Sequence, residues 1–281
     1  MKGFWFTEEF DSGLRVGLEV ERTLFTGRSK YQRVEVFETK TFGKTLAIDG
    51  LFMTSVVDEA NYHELLVQVP MCTAPRIENV LIVGGGDGGS AREVLLHPEV
   101  KRCVLVEIDG LVIEASKTHL PEIGTAWDDP RLEVHIEDGI EYVRQAETGS
   151  FDVILLDGSD PIGPAEGLFG EAFYRDVARL LPDDGVFALQ SESPLLFKQV
   201  FLEIQSTLKG IFGQTHPYFR SVPIYGTGPW SWTFASRNVD PLALVPERVE
   251  HVTQKSRIYN ADIHRAVFAV PQALGRELQA L

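Results

Sequence analysis

The sequence predicts an α/β protein in which a doubly wound, mostly parallel sheet follows a small N-terminal β domain. Three observations carry this. Strand-like cores at 80–83, 103–106, 132–136 and 153–156 recur, with helical segments between several of them, which is the cadence of βαβ crossovers. The run Val80-Leu-Ile-Val-Gly-Gly-Gly-Asp-Gly-Gly89 joins an apolar strand to a glycine-rich turn, and Ser90-Ala-Arg-Glu-Val-Leu-Leu then starts a helix with Ser90 as its expected N-cap. Residues 14–57, by contrast, alternate with the period of strands.

Taken in order, Leu14-Arg-Val-Gly-Leu-Glu-Val-Glu-Arg and Arg33-Val-Glu-Val-Phe-Glu-Thr are half-buried strands. Two more flank Asp49-Gly50, a hairpin dipeptide. Asp58-Glu-Ala-Asn-Tyr-His-Glu-Leu-Leu-Val-Gln-Val has helical spacing and leads into the first parallel strand. We expect a boundary near residue 76, giving a β domain over 1–76 and a catalytic domain over 77–281. Further strands are expected at Gly185-Val-Phe-Ala-Leu-Gln, Ser231-Trp-Thr-Phe-Ala-Ser and Ala266-Val-Phe-Ala-Val.

The chain has 281 residues, 44% of them hydrophobic, enough to bury a substantial core. It carries no apolar stretch of the roughly 20 residues that span a bilayer. Met1-Lys-Gly-Phe-Trp-Phe-Thr-Glu-Glu has no apolar signal core or small-residue cleavage site, so a cytoplasmic protein is expected. Cys72 and Cys103 sit in apolar contexts and read as reduced core residues. A net charge of −15 argues against nucleic acid or an anionic membrane as partner and is compatible with a polycationic one.

Ligands bind open α/β sheets beyond the carboxyl ends of the strands, so the four strand tips should line one cleft. Gly84, Gly86 and Gly89 satisfy the dinucleotide pattern G-x-G-x-x-G. Asp87 within it would repel a pyrophosphate, however, so the loop favours a nucleoside bearing positive charge. Glu107 ends the second strand and can accept from ribose hydroxyls; the alternative is a plain strand-end carboxylate, and Asp109 just beyond is a turn or helix cap. Asp138-Gly139 ends the third, where the carboxylate could accept from an adenine amine, although Asp-Gly is also a common turn. At the fourth, Asp157-Gly158-Ser159-Asp160 breaks into a long Gly/Pro segment that looks like a lid. A local Asx turn is the alternative there.

Gly-Gly-Gly-Asp-Gly-Gly, Val106-Glu-Ile-Asp109 and Asp157-x-x-Asp-Pro-x-Gly-Pro-Ala-x-x-Leu-Phe169 together resemble the spermidine synthase (polyamine aminopropyltransferase) family. Tyr31-Gln32, Asp58-Glu59, Tyr62-His63-Glu64, Pro223-Ile-Tyr225, Tyr259-Asn260 and Ile263-His264 extend the likeness over nearly the whole length. The resemblance implies a Rossmann-like catalytic domain of the S-adenosylmethionine methyltransferase type, assembled as homodimers or homotetramers. It implies transfer of an aminopropyl group from decarboxylated S-adenosylmethionine, a co-substrate, to putrescine, giving spermidine and 5′-methylthioadenosine. Position by position, it implies that Gln32, Glu107, Asp138, Gly139 and Pro164 hold the nucleoside. His63, Asp87, Asp157, Gly158, Ser159 and Asp160 would contact the amines, with Asp157 the catalytic base and Tyr62 and Tyr225 near the diamine. Met53 stands where many relatives have Gln, and Gly158 where others have Ser or Cys.

The chemistry asks for such residues. An alkylammonium with a pKa of about 10 and an aspartic acid of about 3.9 differ by roughly six units, a proton-transfer cost of about 8 kcal/mol. A second carboxylate and desolvation would narrow that gap by raising the Asp157 pKa and lowering that of the amine. The remaining gain is alignment of nitrogen, carbon and sulfur. The reaction needs no metal or cofactor, and no histidine has zinc-ligand spacing. Asp87 would hold the donor's ammonium and repel the α-carboxylate of intact S-adenosylmethionine. Trp230 and Trp232 read as core or pocket wall. The rivals are a methyltransferase, an NAD-dependent dehydrogenase and a catalytically silent polyamine or nucleoside binder; Asp87 speaks against the first two, and retention of both Asp157 and Asp160 against the third.

Overall fold

The computed structural model describes residues 3–10, 12–161 and 163–281. Strands β1 (Phe4–Glu9), β2 (Arg15–Arg28), β3 (Arg33–Thr39), β4 (Gly43–Ile48) and β5 (Leu51–Ser55) form an antiparallel sheet in chain order. Its last hairpin turns at Asp49 and Gly50, both in left-handed backbone with φ of 49° and 93°, as a short type I′-like connection demands. Helix α1 (Ala60–Met71) follows and is almost entirely buried.

The second sheet alternates with helices: β6 (Asn79–Gly84), α2 (Gly89–Leu95), β7 (Arg102–Glu107), α3 (Gly110–His119), β8 (Leu132–Ile136), α4 (Gly139–Gln145), β9 (Val153–Asp157), α5 (Glu171–Leu180) and β10 (Val186–Gln190). Then come α6 (Lys198–Phe212), β11 (Thr215–Ser221), β12 (Pro229–Ala235), α7 (Pro246–Thr253), α8 (Ala261–Ala266) and α9 (Gln272–Gln279). Strand order is β11-β12-β10-β9-β6-β7-β8, with β12 antiparallel to both neighbours and the five strands from β10 to β8 parallel. The chain reverses its direction of travel across the sheet between β6 and β9, the crevice where such sheets take ligands.

The central strands are unbroken apolar runs because both faces are covered. Val80, Ile82, Cys103, Leu105, Val153 and Leu155 face one core, while Leu81, Val83, Val104, Val106, Ile154 and Leu156 face the other. Cys72 and Cys103 are buried free thiols, pushed up to about 12 by burial and so inert at neutral pH. No helix among the described residues is long and apolar enough to cross a membrane.

Four elements differ from expectation. Ala266-Val-Phe-Ala-Val is not a strand. The Asn260 side chain accepts from the Asp262 and Ile263 amides and starts α8, which ends at Ala266, and Val267 then packs as loop with its carbonyl accepting from Phe219 at 2.8 Å. Conversely β1 and β11 were not anticipated; β11 contains Pro217, a residue compatible with a sheet only at an edge. Helix α2 begins one residue earlier than Ser90, so Ser90 is not its cap.

Candidate active site

Beyond the switch point, β6 and β9 are in register at Gly84 and Asp157. Gly84 has a φ of 84°, and any side chain there would strike the Asp157 carbonyl. That carbonyl also accepts from the Gly85 amide at 2.9 Å. The glycine loop is therefore clamped onto the backbone of the fourth tip. One cavity opens over this junction. It gathers Gln32, Tyr62, His63, Asp87, Glu107, Asp138, Gly139, Asp157, Gly158, Ser159 and Tyr225, with Met53 in its wall. Asp160 lines an adjoining cavity that shares Met53, Tyr62, Gly158, Ser159 and Tyr225. Pro164 lies in the 3-10 turn Gly163–Phe169, and its side chain is outside the described residues.

At one end the carboxylates are spaced apart and buttressed by backbone. Glu107 accepts from the Asp109 amide at 2.9 Å, and burial together with the charges of Asp109 and Asp157 pushes its carboxyl up to about 7. Asp109 caps α3 through the Leu111 amide and accepts from the Ser29 hydroxyl at 2.7 Å, tying the turn that carries Gln32 to this end of the cavity. Asp138 caps α4 through the Ile140 amide at 2.9 Å. The turn reading of Asp138-Gly139 is thus true locally while both residues line the cavity. A side chain at Gly139 would strike Val83, so helix packing alone requires glycine there.

At the other end the ionisable groups interlock. His63 is buried, with Nδ1 2.7 Å from Glu59 and Nε2 3.2 Å from Asp87. Burial opposes its charge, but the two carboxylates hold its pKa well above the usual histidine value, so it is an imidazolium. Glu59 also receives Arg92 at 2.8 Å and Arg257; against burial, His63 first and then Arg92 bring its carboxyl down to about 2. Asp87 is held low by His63 against burial and also accepts from the Gly89 amide at 2.8 Å, which starts α2 in place of Ser90. Both ring nitrogens of His63 are thereby spent on carboxylates. His63, Asp87 and Asp157 offer atoms within 4.8 Å of one another, yet a doubly donating imidazolium has no lone pair for a cation.

Asp157 is different. Burial raises its pKa, His63 opposes this, Asp87 adds to it, and two hydroxyls, Ser90 at 2.6 Å and Tyr62, favour the ionised form. Tyr225 donates to the Met53 carbonyl at 2.9 Å and packs beside Tyr62 and Trp230. The adjoining cavity holds Glu8, Asp160 and Gln190. Burial and the Asp160 charge push Glu192, next to them, far above the usual carboxyl range, and burial pushes Glu8 up to about 7. No arginine or lysine pairs with Asp157, Asp160, Glu192 or Glu8 among the described residues.

Arg92, Arg257, Glu8, Gln190 and Glu192 carry no assignment from the sequence, Glu59 enters only within the Asp58-Glu59 motif, and Ser90 only as a helix cap. The i, i+4 spacing of Glu59 and His63 on one helix was a usable signal; the others converge only through the fold. Of the remaining motif residues, Glu64 accepts from the amides of Arg257, Ile258 and Tyr259, and the Tyr259 hydroxyl lies 2.8 Å from His264, so these stitch the C-terminal loop to α1. Trp232 is buried and stacks on Tyr218, while Trp230 walls the second cavity, as expected of both.

The open α/β sheet thus brings together at its tips a glycine loop, a separate acid one strand over and a crowded acidic end. The family model described as the spermine/spermidine synthase domain matches residues 59–245, and that of the spermidine synthase tetramerisation domain matches residues 4–55. The chain belongs to the spermine/spermidine synthase family, and it is a polyamine aminopropyltransferase. It is 45% identical over 271 residues to the polyamine aminopropyltransferase of Desulforudis audaxviator, covering 96% of this chain and 97% of that one. It is 40% identical over 272 residues to that of Bacillus subtilis, covering 97% and 98%. The crystal structure of spermidine synthase from Thermotoga maritima superposes with a TM-score of 0.94 at 37% identity, covering 100% of this chain and 96% of that one. A spermidine synthase in complex with the transition-state analogue AdoDATO superposes with a TM-score of 0.96 at 38% identity, covering 100% and 97%.

Proposed function

We propose that this protein transfers the aminopropyl group of decarboxylated S-adenosylmethionine to putrescine, giving spermidine and 5′-methylthioadenosine, with Asp157 as general base. One observation carries the reading: the amine end crowds Asp157, Asp160, Glu192 and Glu8 with no arginine or lysine among the described residues to balance them. Uncompensated buried carboxyls are costly, and a doubly cationic guest relieves that cost. The diamine would span the two cavities, its reacting nitrogen near Asp157 and its far ammonium near Asp160, Glu192 and Glu8. Gln32, Glu107, Asp138 and Gly139 would hold the nucleoside at the opposite end. That a relative binds a transition-state analogue in the same fold supports a single cleft for both substrates.

Asp157 accepts a proton from the bound ammonium, and the freed nitrogen attacks the carbon beside the sulfonium. The carbon–sulfur bond breaks toward sulfur, leaving neutral methylthioadenosine and a protonated secondary amine. The sulfonium supplies its own leaving group, so the scheme needs no cofactor. Asp87 would steer the donor's ammonium as half of a pair with His63 rather than as a free charge. We also infer a homodimer or homotetramer built through the N-terminal sheet, supported by its match to a tetramerisation domain and by exposed Phe4 and Trp5.

The test is incubation with the decarboxylated donor and a panel of putrescine, cadaverine, agmatine and spermidine, following methylthioadenosine release. Putrescine should give the highest kcat/KM, and intact S-adenosylmethionine should not support turnover. Highest efficiency with another amine would refute the acceptor; methyl transfer from intact S-adenosylmethionine would refute the donor.

A further inference from the structure

We propose that Ser90 is a positioning residue for the reaction, holding one oxygen of Asp157 so that the other receives the amine proton. The inference rests on the reading of Asp157 as base. Ser90 is fully buried on the first turn of α2, and its hydroxyl lies 2.6 Å from Asp157 Oδ2. Its place is fixed from two sides. Asp87 caps the Gly89 amide, and a side chain at Gly89 would run into the His63 ring. The start of α2 is therefore registered by two residues of the site itself, and the next side chain along is aimed at Asp157.

The groups facing Asp157 are Tyr62 and His63 from α1, Asp87 from the glycine loop, Ser90 from α2, Glu107 from β7 and Tyr225 from the 3-10 turn Pro223–Tyr225. Asp87 and Glu107 disfavour a second negative charge; His63 favours it, but its charge is shared with Glu59 and Asp87. A hydroxyl donating to a carboxylate binds its ionised form more tightly than its neutral form. Ser90 therefore keeps Asp157 able to accept a proton in a site that would otherwise protonate it early, and holds the carboxylate plane while it does so.

The test compares Ser90→Ala, Ser90→Thr and Ser90→Cys with Asp157→Asn, measuring kcat against pH, methylthioadenosine affinity and melting temperature. Ser90→Ala should lower kcat about tenfold and move the acid limb of kcat up by about one pH unit, the size of a charge-assisted hydrogen bond. Nucleoside affinity should stay within about twofold of wild type. Ser90→Thr should restore both, and Ser90→Cys, a weaker donor of similar volume, should fall between. An unmoved limb in Ser90→Ala and Ser90→Cys with Asp157→Asn inactive would overturn this inference and leave the base standing. A folded Ser90→Thr that behaves like Ser90→Ala would overturn it too. Near-normal turnover by Asp157→Asn would instead sink the reading beneath it.

Discussion

The two ends of the cleft carry the same kind of side chain and use it in opposite ways. At the end proposed for the nucleoside, Glu107 and Asp138 stand on separate strand tips, and each accepts a backbone amide. At the end proposed for the amine, Asp157, Asp160 and Glu8 line two adjoining cavities with Glu192 beside Asp160, and Asp87 is already matched to His63. A carboxylate fed by amides recognises a neutral hydroxyl or amine by geometry. Carboxyls crowded together with no arginine or lysine recognise charge. The difference separates the roles of the two ends before any ligand is considered, and it predicts that substitutions at the two ends will fail in different ways.

The largest effect should come from Asp157→Asn. It keeps the shape and the Ser90 contact but cannot take a proton, so kcat should fall by about a thousandfold with methylthioadenosine affinity nearly unchanged. Steady-state rates and calorimetric titration of the variant would check this. A variant that lost nucleoside affinity and turnover in proportion would erase the distinction between the ends. The mirror case is Glu107→Gln, which removes charge where hydroxyl donors are expected. It should weaken methylthioadenosine binding about tenfold, on the order of one hydrogen bond to a charged group, with a smaller change in kcat at saturation. Because burial lifts the Glu107 carboxyl to about 7, wild-type nucleoside affinity should strengthen as pH rises through neutrality, and the variant should lose that dependence.

That Glu107, Asp138 and Asp157 line one cleft was legible in the sequence, because a strand tip places its side chains where a parallel sheet takes ligands. Glu107 and Asp157 each follow an unbroken apolar run, and Asp138 follows the alternating Leu132-Glu-Val-His-Ile136. The doubly wound sheet was legible for the same reason: strands buried on both faces leave unbroken apolar runs. The amine end was only half visible. Asp157 and Asp160 stand out as a pair, but Glu8 arrives from β1, Glu192 from just beyond β10, and the Glu59–Arg92–Arg257 cluster from three separate elements. No local pattern announces such a meeting. Ser90 was visible and misassigned, because a serine after glycines normally caps a helix. Here the Asp87 side chain caps it first and frees the hydroxyl for Asp157. The C-terminal Val-Phe-Ala-Val run shows the same limit, since an apolar run alone does not distinguish a strand from a packed loop.

The smallest effect is the most direct probe of the crowded end. Glu8 reaches the second cavity from the N-terminal sheet and accepts from the Phe52 amide at 3.1 Å, and burial lifts its carboxyl from an ordinary 4.5 to about 7. A group whose folded pKa is raised holds a proton that the unfolded chain has already released. Its stabilising contribution is therefore complete below about 4.5 and is lost as pH rises through about 7. Glu8→Gln mimics the protonated form at every pH. Without ligand, the variant should melt with wild type near pH 5 and about 3 °C above it near pH 8, as thermal unfolding at the two pH values would show. Saturating putrescine should reverse the order near pH 8, because the ionised wild-type carboxylate then gains a cation that the glutamine cannot pair with. If the variant melted with wild type at both pH values, Glu8 would not be carrying a raised pKa. If putrescine raised both melting temperatures equally, the far ammonium would not be resting on this side chain, and the acids of the second cavity would be crowded for some reason other than the diamine.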